Sequence, residues 1–177
     1  DILFWLLAAH ALVRVVEGPS LSAWSWLGFV LGMGLLNKTS ALWLAAGVAA
    51  SIVLTGLRVH LRRPGPYLAG LIALLMFSPF VIWNLHHGFP HLEFMRNATA
   101  EKYSSLTRFR FLSDQFRAMN PLTFLVAVPG LWWCLFNREG GRWRVLGISF
   151  LTVFAVLVVN PHTKSEYIGA AYPPLFA

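Results

Sequence analysis

Trp83-Asn84-Leu85-His86-His87-Gly88-Phe89-Pro90-His91 opens a polar run that continues to Asn120, the only long water-compatible segment in a chain otherwise built from apolar blocks. Polar groups and irregular backbone are tolerated at a membrane surface and not in hydrocarbon, so this segment belongs at the surface. Any chemistry the chain performs should gather where the segment meets the membrane.

Composition supports that reading from the other direction. Of the 177 residues 57% are hydrophobic and 12% charged, and the mean hydropathy is +0.62. A soluble domain with so little polar surface could not cover its core. Runs of apolar residues bounded by charge, Pro and Gly place candidate spans at 2–16, 23–37, 39–57, 66–84, 121–136 and 145–160, with a partial one over 168–177. The stretch 24–57 would be about 50 Å long as one helix, too long for a single crossing, and the interruption Asn37-Lys38-Thr39-Ser40 breaks it into two short spans. All spans should be helices, because an open sheet edge cannot sit in lipid. The expectation is an all-α, polytopic transmembrane bundle of about six spans plus a partial one, with residues 1–177 part of a single transmembrane domain. The first residue is Asp1, set directly against an apolar run, and the last run stops at Ala177, so the chain reads as an internal piece of a longer polytopic protein.

Alternation of the spans puts Asp1, Lys38, the 85–120 loop and Lys164 on one face, and the connectors 58–65 and 137–144 on the other. The Lys and Arg count is seven on each side, but six of one group crowd into the two short connectors. By the positive-inside rule those connectors are cytoplasmic. The net charge of +7 does not mark a nucleic-acid binder, since the cations flank spans and form no basic stripe interleaved with stacking aromatics. Anionic headgroups or a lipid phosphate are the natural partners.

Within the loop, Phe109, Leu112, Phe116 and Met119 recur at spacings of three and four, opposite Arg108, Arg110, Asp114, Gln115 and Arg117. That pattern predicts an amphipathic helix lying in the interface plane, either closing a long loop or forming a lip over a lipid-substrate groove. His86, His87, His91 and Glu93 match no standard zinc spacing, and are better read as interfacial groups available to hydrogen-bond a sugar or phosphate. Cys134, beside Trp132 and Trp133, reads as a lipid- or core-facing thiol. Gly28, Gly32 and Gly34 permit close helix contact, which packing explains.

The collinear order of these features resembles glycosyltransferase family 39, the polyprenyl-phosphate-sugar-dependent membrane transferases that include relatives of protein O-mannosyltransferases and of the aminoarabinose transferase. Asp1-Ile2-Leu3-Phe4-Trp5 is similar to the family's Asp before an apolar, aromatic span start. Gly28 through Lys38 resembles its Gly-rich short helix ending in Lys, and Trp83 through Phe89 its Trp-Asn-x-x-His-Gly-aromatic sequence after a Pro-containing span. Phe111-x3-Gln115 with Asn120-Pro121, and Lys164-x2-Tyr167 with Tyr172-Pro173, resemble the later landmarks.

The resemblance implies a GT-C fold and transfer of a sugar from a polyprenyl-phosphate donor to a hydroxyl acceptor, whether lipid, glycan or protein, on the extracytoplasmic face, in a bacterial inner membrane. It implies no certain cofactor, though a divalent metal is compatible. The family's acidic catalytic loop would lie upstream of Asp1 and supply the main base, leaving Asp1 as a supporting acid. A leaving glycosyl phosphate is stabilised by cations aimed at it, a role that suits Lys38 and Lys164 at span ends, with Tyr167 in the same donor-binding set. Asn84, His86 and His87 would hold sugar or acceptor hydroxyls. The plainer alternatives are snorkelling for the lysines and helix capping for Asn84. A transporter or flippase-like protein without covalent chemistry is the rival class. Transporters place polar sites near mid-bilayer in repeated halves, whereas here ionisable groups cluster at span ends with no internal repeat.

Overall fold

The computed structural model describes residues 2–101, 107–118, 121–160 and 163–176. Among them it is helical with no strand: α1 Ile2–Glu17, α2 Leu21–Asn37, α3 Ala41–Leu54, α4 Pro64–His86, α5 Pro90–Glu101, α6 Arg108–Ala118, α7 Pro121–Phe136 and α8 Arg144–Val159. Short 3-10 turns cover Gly56–Arg62, Glu139–Trp143, Ser165–Ala171 and Pro173–Leu175. The chain is an all-α helical membrane protein.

Local chemistry sets the helix ends. Ser20 caps α2, its Oγ accepting from Ala23 N–H at 3.2 Å. The expected break comes where α2 stops: Lys38 N–H donates to Gly34 C=O at 2.9 Å, and a turn over Thr39 and Ser40 starts α3. Inside α4, Pro79 has no N–H for the carbonyl of Leu75, and the Ser78 hydroxyl donates to that carbonyl instead, at 2.8 Å. The same helix closes in a Schellman turn. Gly88 takes the left-handed conformation (φ +71°) and Phe89 N–H reaches back to Asn84 C=O at 2.8 Å.

Packing then follows small residues. In α1, Trp5, Ala8, Leu12 and Val15, spaced three and four apart, form the buried stripe. α2 and α4 run parallel, with Trp24 over Gly65, Gly28 on Ala69, and Gly32 on Ala73 and Met76. A Cβ added at Gly28 would lie 2.7 Å from the Ala69 Cα, and one at Gly32 would lie 2.9 Å from the Met76 Cβ. Lipid tails are as apolar as leucine, so this association rests on close backbone approach rather than on hydrophobic burial. Tyr67, Leu71, Leu74 and Leu75 on α4 stay exposed, an apolar surface suited to lipid.

α3 and α8 run antiparallel. The buried Ser51 Oγ lies 2.6 Å from Val145 C=O on α8 and 2.8 Å from Gly47 C=O on its own helix, so its single proton is shared across the interface. Gly47 sits against Ser149 and Val153.

Among the described residues two helical runs, Pro64–His86 and Gly141–Val159, are long and apolar enough to cross a membrane, or up to four if each of two bent pairs makes one span, and α2 is a shorter apolar helix. α3 and Gly56–Arg62 meet at 92°, which leaves α3 with 14 residues. Residues 168–176 do not begin another helix. They form 3-10 turns folded into the core, with Ile168 fully buried and Tyr172 and Leu175 nearly so, because Pro173 and Pro174 interrupt regular hydrogen bonding.

The amphipathic helix expected after Thr107 is α6: Phe109, Leu112 and Phe116 point outward, as an apolar stripe at a lipid interface does, while Phe111 (2% exposed) and Gln115 (3%) pack on the protein. Met119 lies outside the described residues. The loop also holds a second helix, α5.

Candidate functional site

Lys38 follows the last turn of α2 and is exposed; its Nζ sits 5.4 Å from the centroid of the Tyr167 ring. Tyr167 belongs to the 3-10 turn after α8, and its other neighbour is Trp43 of α3, with centroids 5.6 Å apart. These residues line a pocket of about 170 Å³ together with Ile2, Ser40 and Glu166. The Ser40 hydroxyl is buried there and has no partner among the described residues. A cation, an unsatisfied hydroxyl, a carboxylate and two aromatic edges therefore share one small concavity. Such a set can bind an anionic oxygen through the lysine and a polyhydroxy group against the aromatics.

The 3-10 turn owes its position to α6. Gln115 Nε2 donates to Ser165 C=O at 2.8 Å and to Phe111 C=O at 3.4 Å, and Ser165 Oγ–H donates to Asp114 at 3.0 Å. Arg110 approaches Asp114 at 3.9 Å on the exposed side, a contact of little energetic consequence. Two side chains of α6 thus grip the residue after Lys164, and two residues later the chain presents Tyr167. Lys164 itself is exposed, its C=O accepting from Tyr167 N–H at 3.1 Å, and it is not part of the pocket wall.

The residues at the end of α4 form a second group. Because α2 and α4 are parallel and offset by 41 residues, as Gly28 on Ala69 shows, α4 runs about 12 Å beyond the last turn of α2, at the same end of the bundle. Asn84 is 4% exposed and turned inward. Its Nδ2 donates to Phe80 C=O at 2.9 Å and its Oδ1 accepts from His91 N–H at 3.3 Å, so it ties α4 to the first turn of α5. His87 stacks on Trp83 with centroids 4.5 Å apart. Its Nδ1 lies 2.7 Å from Trp83 C=O; a carbonyl only accepts, so Nδ1 carries the hydrogen and Nε2 is left facing outward as an acceptor in the neutral ring. His86 is exposed on the same turn. His91 meets Phe80 edge-on. None of Asn84, His86 and His87 lines the Lys38 pocket.

Among the described residues no three His, Cys, Asp or Glu side chains stand together as a metal cluster. Asp1 lies outside the described residues, while Ile2 next to it lines the pocket. The sequence reading brought Lys38 and Tyr167 to one face but missed Ser40 and Trp43 as their neighbours, and Asp114, Gln115 and Ser165 as the support. The signal available for the last three was Phe111-x3-Gln115, one turn of helix with a single polar group on its inner face.

No curated protein and no solved structure matches the chain. Over residues 1–83, from α1 through Trp83 near the end of α4, the chain matches the model of the family described as dolichyl-phosphate-mannose-protein mannosyltransferase, a membrane glycosyltransferase family of the GT-C type, which bears out the resemblance to glycosyltransferase family 39.

Proposed function

We propose that this chain is the membrane part of a transferase that moves a sugar from a polyprenyl-phosphate-linked donor to a hydroxyl acceptor on the extracytoplasmic face, with the arginine connectors in the cytoplasm of a bacterium. The observation that carries the reading is the Lys38–Tyr167–Trp43 pocket, where a cation at the end of α2 and aromatics from two other elements converge beside an unsatisfied hydroxyl. The family match over residues 1–83 includes Lys38 and Trp43 and supports the same class.

In the reaction, the bond from the sugar's anomeric carbon to the phosphate oxygen breaks and the bond to the acceptor oxygen forms. The electron pair goes to the polyprenyl phosphate, and the acceptor proton goes to a carboxylate. Lys38 would neutralise the departing phosphate, with the Tyr167 ring against its ammonium, and Lys164, at the start of the turn that carries Tyr167, would be the second cation. The main base is expected before Asp1, with Asp1 in support. His86 and His87, exposed at the same end of the bundle, are available to sugar or acceptor hydroxyls. Asn84 would serve that end by fixing the α4–α5 corner.

The test is transfer from a polyprenyl-phosphate sugar by the whole protein in liposomes. Lys38→Ala should lower turnover about 10²- to 10³-fold, the scale for removing one group that stabilises developing charge, and Lys38→Arg should restore part of it. Wild-type turnover in Lys38→Ala would remove the assignment.

A further inference from the structure

A groove of about 840 Å³ runs along α7 toward the end of the bundle away from the Lys38 pocket. Val126, Trp132 and Trp133 of α7 line it together with Val13 of α1, Leu146 of α8 and Leu175. The lining runs from Leu125 to Asn137, just past the end of α7, and Leu125 to Phe136 spans about 16 Å at 1.5 Å per residue. One leaflet of a roughly 30 Å hydrocarbon core is about 15 Å deep, so the groove has the length of an acyl chain in one leaflet.

At the end marked by Asn137 and Trp143 the lining changes character. Arg138, Arg142 and Arg144 follow, with Glu139 the one acid in 137–144. Arg138 directly follows the lining residue Asn137 and is exposed, Arg142 lies over the ring of the lining residue Trp143 at 4.7 Å, and Arg144 is occupied, its Nε–H donating to Leu135 C=O at 3.0 Å. The antiparallel α3–α8 pair places this mouth far from the candidate transfer site. Ser51 meets Val145 ten residues along α3 from Ala41, about 15 Å from the end of α3 that follows Lys38.

We propose that this groove binds one acyl chain of an anionic phospholipid of the bilayer, with the headgroup phosphate on Arg138 and Arg142. Apolar walls of leaflet depth fit the chain, and a tryptophan-flanked arginine cluster at the open end fits the phosphate. A zwitterionic lipid can fill the walls too, but its own ammonium offsets its phosphate charge, so the cations favour a lipid with net negative charge. Each arginine near the surface favours the anionic lipid about fivefold, so the pair favours it roughly 25-fold.

The intact protein in phosphatidylcholine nanodiscs reads this directly. Phosphatidylglycerol brominated midway along its acyl chains is added in increasing mole fraction while tryptophan emission is followed, with brominated phosphatidylcholine as the comparison. Anionic lipid should quench at about 25-fold lower mole fraction, and the selective component should vanish in Trp132→Phe/Trp133→Phe. In Arg138→Gln/Arg142→Gln, which changes two exposed side chains and leaves Arg144 to its helix, selectivity should fall close to one while circular dichroism stays that of the parent. Equal quenching by both lipids would mean ordinary annular contact, and quenching by neither would mean that a protein segment fills the groove; each overturns the proposal.

Discussion

Gln115→Leu tests whether the interfacial helix α6 positions the turn that carries Lys164 and Tyr167. The side chain is 3% exposed, and both hydrogens of its amide are used, on Ser165 C=O at 2.8 Å and Phe111 C=O at 3.4 Å. Leucine fills a similar volume but leaves the Ser165 carbonyl without this donor. A buried acceptor deprived of its partner costs about 1–3 kcal/mol. The hydrogen bond from Ser165 to Asp114 persists, so the segment is loosened rather than released. At 1.4 kcal/mol per factor of ten, local opening should rise about fivefold to 150-fold. Hydrogen–deuterium exchange of the whole protein, followed in peptides covering 163–176, reads it through amides such as Tyr167 and Tyr172, which donate to Lys164 and Gly169. Peptides from α2 and α4 should exchange as in the parent, since no bond of Gln115 reaches them. Leu112→Ala, on the outward side of α6, should leave 163–176 unchanged. The reasoning is refuted if 163–176 keeps its protection in Gln115→Leu, or if α2 and α4 lose as much.

Three further outcomes are expected. Asn84→Ala should raise exchange in α5 about fivefold by removing the acceptor for His91 N–H, a capping loss of about 1 kcal/mol, and unchanged α5 exchange would show that Asn84 does not hold that corner. Gly28→Leu should lower the melting temperature in detergent, because the new side chain meets the Ala69 backbone and overpacking costs about 1–3 kcal/mol; Gly18→Ala, with open space around it, is the matched control. Ser51→Ala should destabilise by about 0.6 kcal/mol, the mean for an interhelical hydrogen bond in a membrane protein, and a calorimetric or chemical-denaturation difference of zero would show that Val145 C=O finds another donor.

Much of the candidate site was legible because its elements are local in sequence. The break at Asn37-Lys38-Thr39-Ser40 follows from the excess length of one apolar run, and it puts Lys38 at a helix end. The Gly88 turn after α4 follows from a glycine where a left-handed residue is needed. The inner face of α6 was not legible. Periodicity finds the apolar stripe Phe109, Leu112 and Phe116, which at a membrane surface belongs to lipid, so Gln115 stands among the polar residues and Phe111 falls outside the pattern. Asn84 looked available for the same kind of reason: a polar residue at a helix end beside a polar loop carries no mark that a backbone N–H seven residues later will claim it.

The amino-acid sequence alone determined that the chain is helical and lives in a membrane, because hydrocarbon leaves the backbone no partner except itself and the composition leaves no polar coat. It also determined where the apolar runs are interrupted. Which interruptions meet was decided by the tertiary structure. Gly28 and Gly32 had to find Ala69 and Ala73 before α2 and α4 could run parallel and bring Lys38 to the same end as His87. Gln115 had to find Ser165, 50 residues away, before Tyr167 could lie over Lys38. Those contacts depend on which small and polar groups face each other across helices, and a linear pattern of hydropathy does not carry that information.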